Sequence, residues 1–502
     1  MKTLKRLLSV FAVVAMLLTM SLNVNAATVV VEGPDHEYYA YQVLSGTQAP
    51  NDSSLGSPVW GSGINSATFL TEIQKIDGFA DVTDEASFVA KLSTYADDSD
   101  VAKAVAKAAY VAKNDTKKPL TAGENTIDAG YYLIVDETTI SDKTNDNPAD
   151  AKNAALLQIT NKGEFKIGAK QSVPSVDKWV KNGNEWKKYE DTGISSTVTM
   201  KVEATIPSME FYTTYPITFT DDADDGFAGF DVTSVKLVGT TADAAKTPNT
   251  EKTITDGYSI DNTVKAPDFK LTVADVKASA VAQGLDPKET VKVVVEYTCT
   301  LDTDAVIGEP GNVNKVNLTY NANPNGSEET KTKDKEVTVY TFQLEGTKVD
   351  GVDNNIKLKG AEFKLQNADG LYYKKDAYGN VSWVAEAEAD KVTSAENTGL
   401  FGFTGLDAGT YTLVEVTPPA GYNTIAPTTV EIEATYTNDK LATLTPNGKI
   451  SAGKASINVE NNKGTTLPET GGMGTTLFYV IGAALVLGAG VVLVSKKRMA
   501  AK

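Results

Sequence analysis

The sequence predicts a mainly β protein: tandem β-sandwich domains, the first with a helical insertion, between a removable amino-terminal segment and a C-terminal transmembrane helix. Three observations carry this. Val291, Val293, Val295, Tyr297, Cys299 and Leu301 recur at every second position, which lines one face of a strand with apolar side chains. Between 343 and 462, short strand-like runs such as Gly370 to Tyr373 and Gly409 to Glu415 are punctuated by turn residues, the spacing of a compact sandwich. Ala- and Lys-rich stretches with helical spacing fall between 84 and 113.

Taken in order, Met1 to Ala26 is a secretory signal peptide: Lys2, Lys5 and Arg6, an apolar run from Leu7 to Leu22, and a small-residue cleavage site at Val24 to Ala26. An amino-terminal domain, 27–172, is expected to open with strands Thr28 to Glu32 and Tyr38 to Leu44. It continues with helices Asp84 to Tyr95 and Asp98 to Lys113, N-capped by Asp84 and Asp98, the second with Val101, Val105, Ala108 and Val111 near helical spacing, and returns to strand at Gly130 to Asp136. Pro174 marks the start of a strand-rich middle domain, 173–342, followed by the sandwich at 343–466, with Lys463 to Thr466 as its tether. The uncharged core Leu477 to Val494 is 18 residues, near the ~20 that cross a bilayer as a helix. Lys496, Lys497 and Arg498 follow it and hold that end on the cytoplasmic side, so the preceding chain lies outside.

Between Ala27 and Thr470 the mature chain has 444 residues, about three domains at ~150 each. The removed ends carry seven of the 47 basic residues and none of the 65 acidic ones, so its net charge is 40 minus 65, or −25. Such a surface excludes nucleic acid and anionic lipid as partners. Arg occurs only at Arg6 and Arg498, so every cation of the mature chain is a lysine, a side chain that can lose its proton and act as a nucleophile. The single cysteine, Cys299, excludes an internal disulfide and is expected to be a small buried hydrophobe. His36, the sole histidine, sits in a polar opening segment and is expected to be solvated. No hydrolytic triad, metal cluster or phosphate loop is visible, so no enzyme, metal or cofactor is expected. The acidic run Asp221 to Gly226 fails as a calcium loop, because position 3 is Ala223 and position 12 is Val232.

Leu467, Pro468, Glu469, Thr470 and Gly471, placed just before an apolar span and a basic tail, resemble the cell-wall sorting signal of Gram-positive surface proteins. The resemblance implies that a sortase, a membrane-bound cysteine transpeptidase, cuts between Thr470 and Gly471 and passes the Thr470 carbonyl to an amine. That is covalent catalysis with this chain as substrate, in contact with the membrane only transiently.

Gly346 to Asp350, Leu358 to Phe363, Gly409 to Glu415, Pro419 to Tyr422 and Ile457 to Asn461 resemble the B-type repeats of collagen adhesins and pilins, which cross-link themselves. This implies a bond between the Lys348 amine and the Asn461 side chain, assisted by Glu415, with release of ammonia. Val176 to Val180, Tyr215 to Asp221 and Gly311 to Tyr320 resemble the middle isopeptide-forming domain of pilus backbone subunits. By that match Lys178 bonds Asn314 with Asp221 as the acid; Asn312 and Asn317 are rival amides and Glu203 a rival acid, to be separated by burial. Burial lowers a lysine pKa and raises a carboxyl pKa, so a neutral amine and a protonated acid can coexist, and neighbouring strands supply the effective concentration an unactivated amide requires. Tyr38 to Val43 and Pro58 to Asn65 resemble the amino-terminal domain of the same fimbrial subunits.

The whole chain thus resembles a sortase-assembled pilus backbone subunit built from Ig-like, collagen-adhesin-type (SpaA-type) domains. The implied partners are pilus-specific and housekeeping sortases, identical subunits, other pilins and peptidoglycan. Polymerisation requires one further lysine, which the family carries in a motif ending Tyr-Pro-Lys; this chain lacks the Tyr-Pro. Lys170, eight residues before Lys178, is the expected nucleophile, with Lys166 and Lys162 as rivals. The alternative is a monomeric wall-anchored adhesin that binds a host or matrix ligand.

Overall fold

The computed structural model describes residues 27–32, 36–48, 55–96, 99–139, 152, 156–160, 164–168, 173–240, 250–263, 268–445, 450–451 and 454–464. The signal peptide, the sorting motif 467–471, the apolar span 477–494, Lys162 and Lys170 lie outside the described residues. Among the described residues no helix is long and apolar enough to cross a membrane. The described residues form two compact units, one within 27–306 with 310–340 and 438–440, the other within 307–309 with 341–437 and 441–464. The expected amino-terminal and middle domains therefore share one unit.

Two sheets and three helices build the first part of that unit. Ala27–Glu32 is paired antiparallel to Gly123–Ile127 and parallel to Glu164–Gly168, while Tyr38–Gln48 lies between Leu55–Trp60 and Gly130–Asp136. The helices Ser66–Ile73, Glu85–Leu92 and Asp100–Ala112 are inserted after Leu55–Trp60. Asp84 caps the second in a reciprocal capping box with Ser87. The third is capped by Ser99, whose side chain accepts from the Ala102 N–H, in place of the expected Asp98. Its buried face is Val105, Ala108, Ala109 and Ala112; Val111 stands 100° away from Ala112 around the helix and is 54 % exposed. The first helix has no counterpart in the sequence reading. Only Phe69 and Ile73 are buried in it, and with Asn65 as its cap they make a signal too short for periodicity to reveal.

His36 is buried, contrary to the expectation of a solvated ring. Its Nδ1 lies 2.7 Å from Asp136 Oδ2, and the ring stacks on Tyr38, which pairs with Asp136 across the strands. A carboxylate placed by strand register compensates the desolvated imidazole.

The second part of the unit is a sandwich. One sheet runs Glu185–Lys187, Ser175–Asn182, Thr197–Ile206, Thr290–Leu301, Phe227–Thr240, Thr250–Thr253. The other runs Tyr189–Asp191, Lys335–Tyr340, Asn312–Asn321, Ile217–Ala223, Phe269–Val273, Tyr258–Asp261, with Glu329–Lys331 also on Asn312–Asn321. All six alternating residues from Val291 to Leu301 are 0–1 % exposed, as period-2 patterning requires of a strand facing a partner sheet.

In the other unit Phe342–Asp350 pairs parallel with Lys454–Asn461 and antiparallel with Leu400–Leu406. Glu362–Gln366, Gly409–Thr417 and Thr428–Thr437 are successive neighbours in a second sheet. The expected tether begins later than Lys463: Lys463 bridges Tyr422, and the Gly464 N–H donates to the Gly421 carbonyl at 3.3 Å.

Candidate functional site: two buried lysine, acid and asparagine clusters

Lys178, Asp221 and Asn314 are all 0 % exposed. Alternation puts Lys178 on the inner face of its strand between Val176 and Val180, while the facing sheet presents Asp221 and Asn314, on strands paired as Asp221 with Val316 and Ala223 with Asn314. The cluster therefore spans the two layers of the sandwich, rather than joining neighbouring strands as the sequence reading assumed. Lys178 Nζ donates to Asn314 Oδ1 at 2.7 Å and also to Asp221 Oδ2. Burial pushes the Lys178 amine below the usual lysine range, against the pull of the Asp221 charge. Two members were not anticipated. Tyr297 Oη donates to Asp221 Oδ2 at 2.8 Å, and Asn314 Nδ2 donates to Met200 Sδ at 3.1 Å and lies 3.4 Å from Tyr297 Oη. Both residues stand in plain alternating runs and pair directly across their strands, so in the sequence they read only as core.

The rivals separate by direction. Glu203 points out of the sandwich and pairs with Lys292 at 2.7 Å. Asn317 faces outward and donates to Asp334 at 2.9 Å. Asn312 is buried, but its amide is used up on the backbone of Val306 and Val339. Cys299 is buried beside the cluster and its thiol is pushed up to about 12 by burial and the nearby Asp221 charge, the setting of an inert side chain.

The second cluster uses a different geometry. Lys348 and Asn461, both 0 % exposed, lie on adjacent parallel strands whose register sets Lys348 beside Val459 and Asp350 beside Asn461. Lys348 Nζ donates to the Val459 carbonyl at 2.6 Å, and burial pushes its amine down to about 8. Glu415 reaches over from the facing sheet. Asn461 Nδ2 donates to both of its carboxyl oxygens at 3.0 Å and to the Asn423 carbonyl at 2.9 Å, while the Ile425 N–H holds Glu415 Oε2 at 2.9 Å. Asn461 Oδ1 is buried without a hydrogen-bond partner. The amide nitrogen, the group that must leave if the carbonyl carbon is attacked, is thus held against an acid that can protonate it.

Lys166, on a strand paired with Ala27–Glu32, is exposed and lies 3.3 Å from Glu32. No group of three or more His, Cys, Asp or Glu that could hold a metal ion occurs among the described residues.

Residues 342–447 match the SpaA prealbumin-like fold domain, and residues 459–500 match the LPXTG cell wall anchor motif. The chain is 24 % identical over 432 residues to the trypsin-resistant surface T6 protein of Streptococcus pyogenes serotype M6, covering 69 % of this chain and 74 % of that protein. Among solved structures it is similar to the three-domain T6 backbone pilin of the same serotype, at 16 % identity and a TM-score of 0.50, over 87 % of this chain and 98 % of the pilin. The major pilin SpaD of Corynebacterium diphtheriae superimposes over 88 % of this chain and 99 % of its own, at 16 % identity and a TM-score of 0.48. The chain thus carries a SpaA-type prealbumin-like domain and an LPXTG cell wall anchor motif, on a fold similar to that of a backbone pilin.

Proposed function

We propose that the protein is the structural backbone subunit of a covalently polymerised surface pilus, self-locked by two internal Lys–Asn amide bonds. A sortase joins Thr470 of one copy to a lysine of the next, other pilins share the fibre, and the base is passed to peptidoglycan. The observation that carries this reading is the recurrence, in both sandwiches of a chain that carries the LPXTG motif, of a fully buried lysine and asparagine with a buried carboxyl hydrogen-bonded to one of them. Structural ion pairs need no such asparagine.

Each bond forms when the neutral lysine amine attacks the asparagine Cγ, transfers a proton to the departing amide nitrogen through the acid, and expels ammonia. The product closes a loop of more than 100 residues, between Lys178 and Asn314 or between Lys348 and Asn461. It cannot be reduced, and it takes the place of the disulfides that a chain with one cysteine cannot make. Asn461 lies nine residues before Thr470, so tension entering at the intersubunit joint meets a covalent clamp almost at once.

For the joint itself, Lys170 is the proposed acceptor, eight residues before Lys178. With a cognate pilus sortase the wild-type chain is expected to give high-molecular-weight ladders on denaturing gels, and Lys170→Ala to give none. A Lys170→Ala chain that ladders, while Lys166→Ala or Lys162→Ala does not, moves the assignment. A wild-type chain that never ladders and is found only as single copies on peptidoglycan overturns the polymer reading in favour of a monomeric adhesin.

A further inference from the structure

We propose that Tyr297 is the proton relay of the Lys178–Asn314 bond, carrying to the departing amide nitrogen the proton that Asp221 cannot deliver itself; this rests on the bond proposed above.

The two clusters differ in what holds the departing amide nitrogen. In the unit of Lys348 the longer acid, Glu415, accepts from the departing amide nitrogen through both of its oxygens, so it can hand that nitrogen a proton directly. In the other cluster the shorter Asp221 accepts from the amine, through Oδ2, and the hydrogen bonds of Asn314 Nδ2 go to Met200 Sδ and Tyr297 Oη instead. The amide oxygen of Asn314 is committed to Lys178 Nζ at 2.7 Å, which turns Nδ2 away from the amine and the acid and toward Tyr297 Oη and Met200 Sδ. Tyr297 closes the gap. Its hydroxyl donates to the same Asp221 Oδ2 at 2.8 Å and stands 3.4 Å from Nδ2. Met200 Sδ, a weak acceptor 3.3 Å from Tyr297 Oη, cannot supply a proton and serves to hold the amide in place.

The surroundings keep the hydroxyl protonated and in position. Tyr297 is fully buried, packed edge-to-face on Phe269 at 5.0 Å, and burial together with the Asp221 charge pushes its phenol well above the usual range. It is therefore a donor at rest, and it parts with its proton only as Asp221 replaces it.

The step balances within the cluster. The neutral Nζ of Lys178 attacks Asn314 Cγ and the carbonyl electron pair moves to Oδ1. One Nζ proton passes to Asp221 Oδ2. Tyr297 gives its hydroxyl proton to Nδ2 and takes the Asp221 proton in return. The Cγ–Nδ2 bond breaks, the carbonyl reforms, and ammonia leaves; Asp221 and Tyr297 end as they began, and no outside acid or base is consumed.

Tyr297→Phe removes one oxygen and keeps the ring. In chains spanning 27–470 made by cell-free synthesis and sampled for intact mass over time, this variant is expected to close the Lys178 bond at least about 100-fold more slowly than wild type. The Lys348 bond in the same molecules should form at the wild-type rate and serves as an internal clock. Packing is controlled separately: Tyr297→Phe with Asn314→Ala, in which no Lys178 bond can form, should melt with Asn314→Ala alone. Wild-type closure by Tyr297→Phe overturns the relay, as does a slowed closure with a double variant that melts well below Asn314→Ala. A wild-type chain that never closes at Lys178 refutes the bond instead, and is told apart by its mass.

Discussion

Asp221→Ala is expected to abolish the Lys178–Asn314 bond while leaving the Lys348–Asn461 bond intact. The purified mature chain should then lie about 17 Da below its sequence mass instead of about 34 Da, one ammonia lost rather than two. The sandwich around Asp221 should lose about 4 to 5 kcal/mol of unfolding free energy, the loop-closure term for a cross-link of this span in the chain-entropy model. The free amine adds to that loss: buried without Asp221, Lys178 must give up its proton on folding, which disfavours the folded state at neutral pH. Calorimetry should show one early transition with the other unit unchanged, and limited proteolysis should cut first between 173 and 340. A variant that retains the full mass deficit would assign the acid elsewhere, yet the structure leaves little alternative, since Glu203 faces away and is held by Lys292.

Asn461→Ala is expected to have an effect of similar size on the other unit, with a pH signature that a mere packing defect lacks. With the proposed bond closed, the Lys348 nitrogen of wild type is an amide and does not titrate. In the variant it is a free buried amine whose pKa falls from 10.5 in the unfolded chain to about 8 in the folded one. The folded state then disfavours the ammonium form. The penalty is complete below pH 8 and is relieved as pH rises from about 8 to 10.5, because the unfolded chain holds the extra proton in that window. Stability of Asn461→Ala should therefore climb across this range relative to Asn461→Ala with Lys348→Met, measured by urea unfolding at each pH. Parallel curves for the two variants would contradict a depressed Lys348.

Much of this was legible in the sequence, and what was missed has physical causes. Six apolar residues at every second position from Val291 fix a strand and its inner face, so the burial of Cys299 follows from spacing alone. The second cluster was legible for a different reason: motifs resembling the B-type repeats of collagen adhesins and pilins pointed to Lys348, Glu415 and Asn461, and all three are buried. What pattern could not give was direction across a sandwich. Asn312 and Asn314 have the same parity and both are buried, and only the backbone of Val306 and Val339 tells the spent amide from the available one. Tyr297 and Met200 were hidden because an aromatic and a thioether in an alternating run look like any core pair. His36 was misread because its partner, Asp136, is 100 residues away and reaches it only through strand register.

The central claim is that each sandwich is closed by an amide between a buried lysine and a buried asparagine. Intact-mass measurement of the mature chain, 27–470, followed by tandem mass spectrometry of its proteolytic fragments, tests this most directly. The expected result is a mass about 34 Da below the sequence value, with one branched peptide joining Lys178 to Asn314 and another joining Lys348 to Asn461. A mass equal to the sequence value, with all four residues recovered in linear peptides, would contradict it.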